Sequence, residues 1–143
     1  MSPYDLINPG IVRLLHSRLH RVLSSRLMTV SYRGKRSGRQ YCVPVSYYRD
    51  GDTVYCFTNG RWRVNFYEAR DAVLRLQGQD WAASGRIAEL PGEQRVDIMV
   101  AYFKAVPQDR KFYGVRCTGG GEPIREQVAQ ATQVVDIICF TLR

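Results

Sequence analysis

The residues best equipped for chemistry lie between Val30 and Asn65. Gly34-Lys35-Arg36-Ser37-Gly38-Arg39, with Arg33 just ahead, gathers basic side chains and a hydroxyl around two glycines. Such a bend can wrap an anionic group, because glycine permits close backbone approach and cationic donors form charge-assisted hydrogen bonds to phosphate or carboxylate oxygens. The same composition also suits a solvated basic hairpin tip. A second polar cluster follows one hairpin later, Thr58-Asn59-Gly60-Arg61-Trp62, with Asn65 beyond it. The chain contains no nucleophile-elbow motif, no P-loop and no Rossmann glycine pattern.

Other reactive side chains point to less. His16 and His20 stand four apart, but Ser17-Arg18-Leu19 between them lacks the glutamate of a zinc-protease helix and no third ligand is evident. No metal site is expected. Cys42, Cys56, Cys117 and Cys139 form no C-x-x-C pair. A two-residue turn at Asp50-Gly51 would pair Val45 with Cys56 and aim Cys42 at the opposite face, so no disulfide joins them. All four cysteines are predicted to be small buried apolar residues of a reducing compartment. Tyr47, Tyr48 and Tyr113 could give a proton or hydrogen bond to a bound acceptor, though any of the nine tyrosines also serves in packing. No catalytic residue is assigned.

These residues need a scaffold. A chain of 143 residues with 45% hydrophobic content supports a single domain, residues 1–143. A net charge of +8 favours anionic partners: a phosphorylated cofactor, a nucleic acid or an acidic membrane surface. No apolar run is long enough to span a bilayer and no secretory leader pattern is present, so a cytoplasmic location is expected.

In chain order, Asn8-Pro9-Gly10 reads as a helix start. Ile11, Leu15, Leu19, Val22 and Leu23 then share one side and Arg13, Ser17, Arg21 and Ser24 the other, predicting an amphipathic helix over 8–26. Its Arg- and Ser-rich face would suit peripheral contact with an anionic membrane or a transit peptide, packing across the rest of the domain being the default. From Leu27 the period becomes alternating, and three hairpin-linked strands are predicted through Thr58, with Pro44 marking an edge or an interruption. A short helix from about Trp62 to Arg70 follows. A hairpin turning at Gly78-Gln79 then pairs Leu76 with Trp81, Leu74 with Ala83 and Ala72 with Gly85 on an apolar face.

Pro91-Gly92-Glu93 opens a helix with a Val96, Met99, Val100 and Phe103 stripe, ended by Pro107. A basic aromatic patch (Arg110, Lys111, Phe112, Tyr113, Arg116), a triple-glycine turn and a short helix from Pro123 to about Ala131 complete a helical region over 91–132. Residues 133–143 read as a closing, largely buried strand. With barrel strands over 27–90, this order gives an α+β, mainly β architecture: a split β-barrel of the FMN-binding kind with flanking helices.

Gly34-Lys35-Arg36-Ser37-Gly38-Arg39 followed by Pro44-Val45 and Tyr48-Arg49-Asp50-Gly51-Asp52, then Arg61-Trp62 with Asn65 and Phe66, resembles the deazaflavin-dependent nitroreductase and quinone reductase family of split-barrel oxidoreductases. The likeness runs along nearly the whole chain. It departs at Arg63, where members commonly carry a second tryptophan. The resemblance implies that Lys35, Arg36, Ser37 and Arg39 hold the phosphate-bearing tail of a coenzyme, with Thr58, Asn59 and Arg61 completing the pocket. Val43, Pro44, Val45 and Trp62 would border its tricyclic ring. The implied coenzyme is the deazaflavin F-420, whose acidic tail suits a basic groove, with FMN as the alternative. The implied reaction is hydride transfer to a small planar acceptor such as a quinone, enone or nitro-aromatic, and the implied assembly a homodimer.

Two other classes compete with that expectation. Split barrels also bind FMN, haem or fatty acids without catalysis. The basic balance and the aromatics between Arg110 and Arg116 would suit nucleic acid or an anionic membrane, although the redox reading expects no nucleic-acid partner.

Overall fold

The computed structural model describes residues 27–143. The expected helix over 8–26, with His16 and His20, lies outside the described residues. β-Branched and aromatic alternation gives β1 (Leu27–Arg33), β2 (Gln40–Asp50) and β3 (Thr53–Thr58). A 3₁₀ helix (Arg61–Phe66) leads into β4 (Arg70–Leu76) and β5 (Gln79–Ile87). Helix α1 (Gly92–Ala105), a second 3₁₀ helix (Pro107–Tyr113), α2 (Arg125–Ala131) and β6 (Asp136–Leu142) complete the chain. The strands close into a barrel in the order β1-β2-β3-β6-β5-β4, every neighbouring pair antiparallel.

Both predicted turns fall one residue away from their expected places. Asp50 pairs with Thr53 and Tyr47 with Cys56, so the turn is Gly51-Asp52. Leu76 pairs with Gln79 and Leu74 with Trp81, so the second turn is Gln77-Gly78. There both residues have positive φ, 48° and 80°, the backbone of a turn whose twist matches its strands. Moving a turn by one residue shifts a hairpin register by two, which preserves the face each side chain occupies. Met28, Val30, Tyr32, Val43, Val45, Tyr47, Val54, Cys56, Leu74 and Phe140 therefore fill the barrel. Cys42 stays outside it, hydrogen-bonded by the Ser31 hydroxyl. All four cysteines are free, but only Cys56 is buried, the other three being half-buried, so the expectation of four buried thiols is corrected.

Strand β2 is continuous through Pro44 and changes partner instead of breaking. Gln40–Ser46 pair with β1, and only Tyr47–Asp50 pair with β3. Pro44 thus sits on a stretch with no β3 ladder, where its missing N–H is tolerated.

A second core lies between the barrel wall and the helices. Val96, Met99, Tyr102 and Phe103 form the buried stripe of α1, Tyr102 taking the place expected of Val100, which is only half-buried. Phe57, pointing out from β3, stacks on Tyr102 with ring centroids 4.4 Å apart. Arg95 fastens the two layers by donating to the carbonyls of Thr132 and Val135, at 2.5 and 2.9 Å.

Candidate functional site

Where β2 leaves β3, the opening between them becomes a cleft of about 250 Å³. Pro44, Val45 and Ser46 form its β2 side, Phe57 and Thr58 its β3 side, and Trp62 one end. Tyr102, Asp109, Phe112 and Tyr113 close it from the helical layer. Its walls combine aromatic and apolar side chains with a comparable share of polar surface, and the aromatic rings among them suit a flat organic ligand. A larger groove of about 490 Å³ runs over the outer face of β5 and β6, but no basic bend adjoins it among its lining residues.

The Thr58 to Asn65 segment folds tightly against the barrel mouth. The Thr58 hydroxyl accepts from the Gly60 N–H at 3.0 Å. Arg63 donates to the carbonyls of Asn59 and Gly60 at 2.8 and 2.9 Å and forms an ion pair with Asp136 at 2.8 Å. Arg63 is therefore the clamp of this turn, which gives the departure from the resembling family's tryptophan a structural role. Asn65 then reaches back, its Oδ1 accepting from the Lys35 N–H at 2.8 Å.

That bond ties the basic bend to the Thr58 to Asn65 segment. Within the bend, Gly34 N donates to the Arg39 carbonyl at 2.8 Å, and Arg39 N to the Ser37 hydroxyl at 3.2 Å. Gly34 lies so close to Tyr41 that a Cβ there would approach its ring to 2.7 Å, and Gly38 holds φ at 67°; both glycines are required by geometry. Ser37 shares a hydrogen bond with the Tyr41 hydroxyl, Tyr41 stacks on Tyr32, and Tyr32 stacks on Trp62 at 6.0 Å. A continuous line of contacts thus connects the bend to the cleft wall.

Lys35, Arg36 and Arg39 are exposed on the bend and Arg61 is exposed on the adjoining turn. Among the described residues no ion pair engages any of these four cations. The other expected residues divide by position. Pro44, Val45, Thr58 and Trp62 line the cleft, and Asn59 is exposed on the turn. Val43 faces the barrel interior beneath the cleft, and Ser37 is engaged by Tyr41 and the Arg39 amide. Of the three tyrosines considered as hydrogen-bond donors, only Tyr113 lines the cleft; Tyr47 is in the barrel core and Tyr48 stacks on Tyr55 outside it.

Sequence reasoning did not single out Ser46, Phe57, Tyr102 or Asp109. Tyr102 donates a short hydrogen bond to Asp109 Oδ2. Burial, reinforced by Asp109, pushes the Tyr102 hydroxyl well above the ordinary tyrosine value, so it stays protonated and acts as a donor. A tyrosine inside the apolar stripe of α1, seven residues before an aspartate, was the signal available.

No protein-family model matches the chain, and neither does any curated protein. Solved structures do. A FAD and heme binding protein from Mycobacterium smegmatis superposes with a TM-score of 0.51 at 16% identity, covering 90% of this chain and 67% of that one. A candidate 5-nitroimidazole antibiotic resistance protein from Bacteroides thetaiotaomicron gives 0.52 at 11% identity, over 87% and 78%. A third structure, described as a domain-swapped dimer, gives 0.52 at 15% identity over 97% and 99%. At these identities the likeness concerns architecture, and it agrees with the strand order: the chain is a split β-barrel with flanking helices.

Proposed function

We propose that this protein is an oxidoreductase that takes reduced deazaflavin F-420 and serves hydride transfer to a small planar acceptor such as a quinone, nitro-aromatic or enone. The observation that carries the reading is the Asn65 bond to Lys35, which joins the basic bend to the turn beside the cleft. Lys35, Arg36, Arg39 and Arg61 would hold the anionic tail, helped by Ser37 and Asn59. The ring would rest along Pro44-Val45 beside Thr58 and Trp62, with Val43 supporting that strand from below.

Size supports this division of labour. The cleft, about 250 Å³, lies just under the range of about 300–1,000 Å³ usual for whole drug-sized ligands. It suits a ring whose charged tail stays outside on the bend. When bound, the coenzyme supplies the hydride chemistry. The chain's own residues have to orient two flat rings and exclude water. Solved proteins of this architecture include one described as binding FAD and heme and one described for nitroimidazole resistance, which is compatible with either a redox or a carrier role. FMN in the same cleft is the second reading. A homodimer belongs to the same proposal, since Val64 and Tyr67, near the bend, are 45% and 54% exposed and offer apolar surface for a partner subunit.

Titration with F-420 and with FMN, followed by tryptophan fluorescence, tests the proposal. Saturable quenching by F-420, stronger than by FMN, is expected, and light scattering on the same samples should give a dimeric mass. Preferential saturation by FMN would move the assignment to a flavin protein. Absence of binding by both would overturn it.

A further inference from the structure

Three rings run in a row from the cleft wall to the basic bend. Trp62, 7% exposed, lines the cleft, and Tyr32, 4% exposed, stacks on it with centroids 6.0 Å apart and planes at 29°. Tyr41, the cross-strand partner of Tyr32, stacks on Tyr32 in turn at 5.6 Å and 24°. Phe66 braces the row edge-on, 5.4 Å from Tyr32 and 5.8 Å from Trp62. The far end is half-buried, and there the Tyr41 hydroxyl shares a hydrogen bond with Ser37 on the exposed bend.

Among aromatic side chains, tryptophan and tyrosine give up an electron far more readily than phenylalanine, and near-parallel rings in contact pass one between them quickly. A tyrosine keeps the resulting hole as a neutral radical only where its phenol proton can leave, because a charge stranded in a buried site is costly. Tyr32 is buried away from water, whereas Tyr41 can release its proton through Ser37 to solvent. The row thus has an entrance at Trp62, a bridge at Tyr32 and a resting place at Tyr41. Tyr102 also borders the cleft, with Asp109 to take its proton. Its ring contacts among the described residues are with Phe57 and Phe103, not with Trp62.

We infer that the Trp62–Tyr32–Tyr41 row carries oxidising equivalents out of the cleft to the bend. The inference rests on the coenzyme reading and adds a one-electron route to it. The oxidant is a light-excited flavin or deazaflavin ring lying against Trp62. That ring gains one electron from Trp62, the oxidised Trp62 takes one from Tyr41 across Tyr32, and the Tyr41 phenol proton passes by way of Ser37 to water. The net result is a ring one electron richer, a neutral phenoxyl radical at Tyr41 and one released proton. Trp62 is restored, so the cleft wall is spared oxidative damage.

Pulse radiolysis with the azide radical, which oxidises tryptophan in preference to tyrosine, tests the row with no coenzyme present. Trp81→Phe leaves Trp62 as the one tryptophan in the chain. Its radical should form and give way to a tyrosyl radical at a rate independent of protein concentration, and a nitroso spin trap mapped by mass spectrometry should mark Tyr41. Adding Tyr41→Phe, which deletes one hydroxyl from a half-buried residue, should abolish the tyrosyl signal and lengthen the life of the tryptophan radical. No radical at Trp62, no transfer from it, trapping at Tyr102 instead, or an undiminished tyrosyl signal in folded Tyr41→Phe protein overturns the inference. Illumination of the protein loaded with FMN or F-420, whichever saturates it, should mark Tyr41 as well, and marking elsewhere overturns the inference. Failure to take up either coenzyme removes the coenzyme reading and the light-excited oxidant with it, while conduction along the row stands or falls on the radiolysis.

Discussion

Replacing Phe140 by alanine is expected to lower the stability of the barrel by about 3–5 kcal/mol. Phe140 is completely buried on β6 and packs edge-on against Phe66 with centroids 5.5 Å apart. Opposite it, β5 carries Gly85, where an added Cβ would run into the Phe140 ring. The ring therefore occupies volume that its paired strand leaves open. Truncation would leave a cavity bordered by hydrogen-bonded strands on both sides of β6, which cannot collapse to fill it. Urea unfolding of the two proteins measures the difference. A loss below about 1 kcal/mol would show that the barrel interior is packed differently from this description.

Converting Lys35 and Arg36 together to alanine should weaken binding of a phosphate-bearing coenzyme by roughly thirty- to a hundredfold, with little change in stability. Both side chains are exposed, so truncating them removes no core contact. The backbone bonds that shape the bend, from Gly34 to Arg39 and from Lys35 N to Asn65, do not involve the deleted atoms. The loss should be smaller at high salt, where exposed charges are screened. Riboflavin, which lacks the phosphate, should bind wild type and variant alike. Equal affinity of both proteins for the phosphorylated coenzyme would remove the bend from the site.

Much of the fold was legible because strand alternation is a local property. Displacing the Gln77-Gly78 turn by one residue changed every partner in that hairpin while leaving Ala72, Leu74 and Leu76 pointing inward. Closure was not legible in the same way. The pairings of β1 with β4 and of β3 with β6 join residues far apart in sequence, and no local pattern specifies them. Pro44 is the intermediate case. Its chemistry announced an edge, but only the exchange of β1 for β3 as partner shows that the edge is the lip of a cleft.

The site divides along the same line. The basic bend and the Thr58 to Asn65 turn are short runs whose composition speaks for itself, and a single side-chain bond from Asn65 unites them. Ser46, Tyr102 and Asp109 come from three separate elements. Asp109 in particular sits beside Arg110 and Lys111 at the start of a stretch that reads as a basic aromatic patch, whereas the fold buries it against Tyr102. Arg63 illustrates the reverse. In the sequence it is only a departure from the resembling family's second tryptophan, whereas in the fold it braces the turn through Asp136 and two carbonyls.

Amide hydrogen exchange with and without saturating F-420 tests most directly whether the bend and the cleft together form one coenzyme site. Slower exchange is predicted at 34–39, 43–46 and 58–65 as a group, since a tail on the bend and a ring along β2 would shield all three segments at once. Protection confined to the outer face of β5 and β6, or none at those three segments despite bound coenzyme, would contradict it.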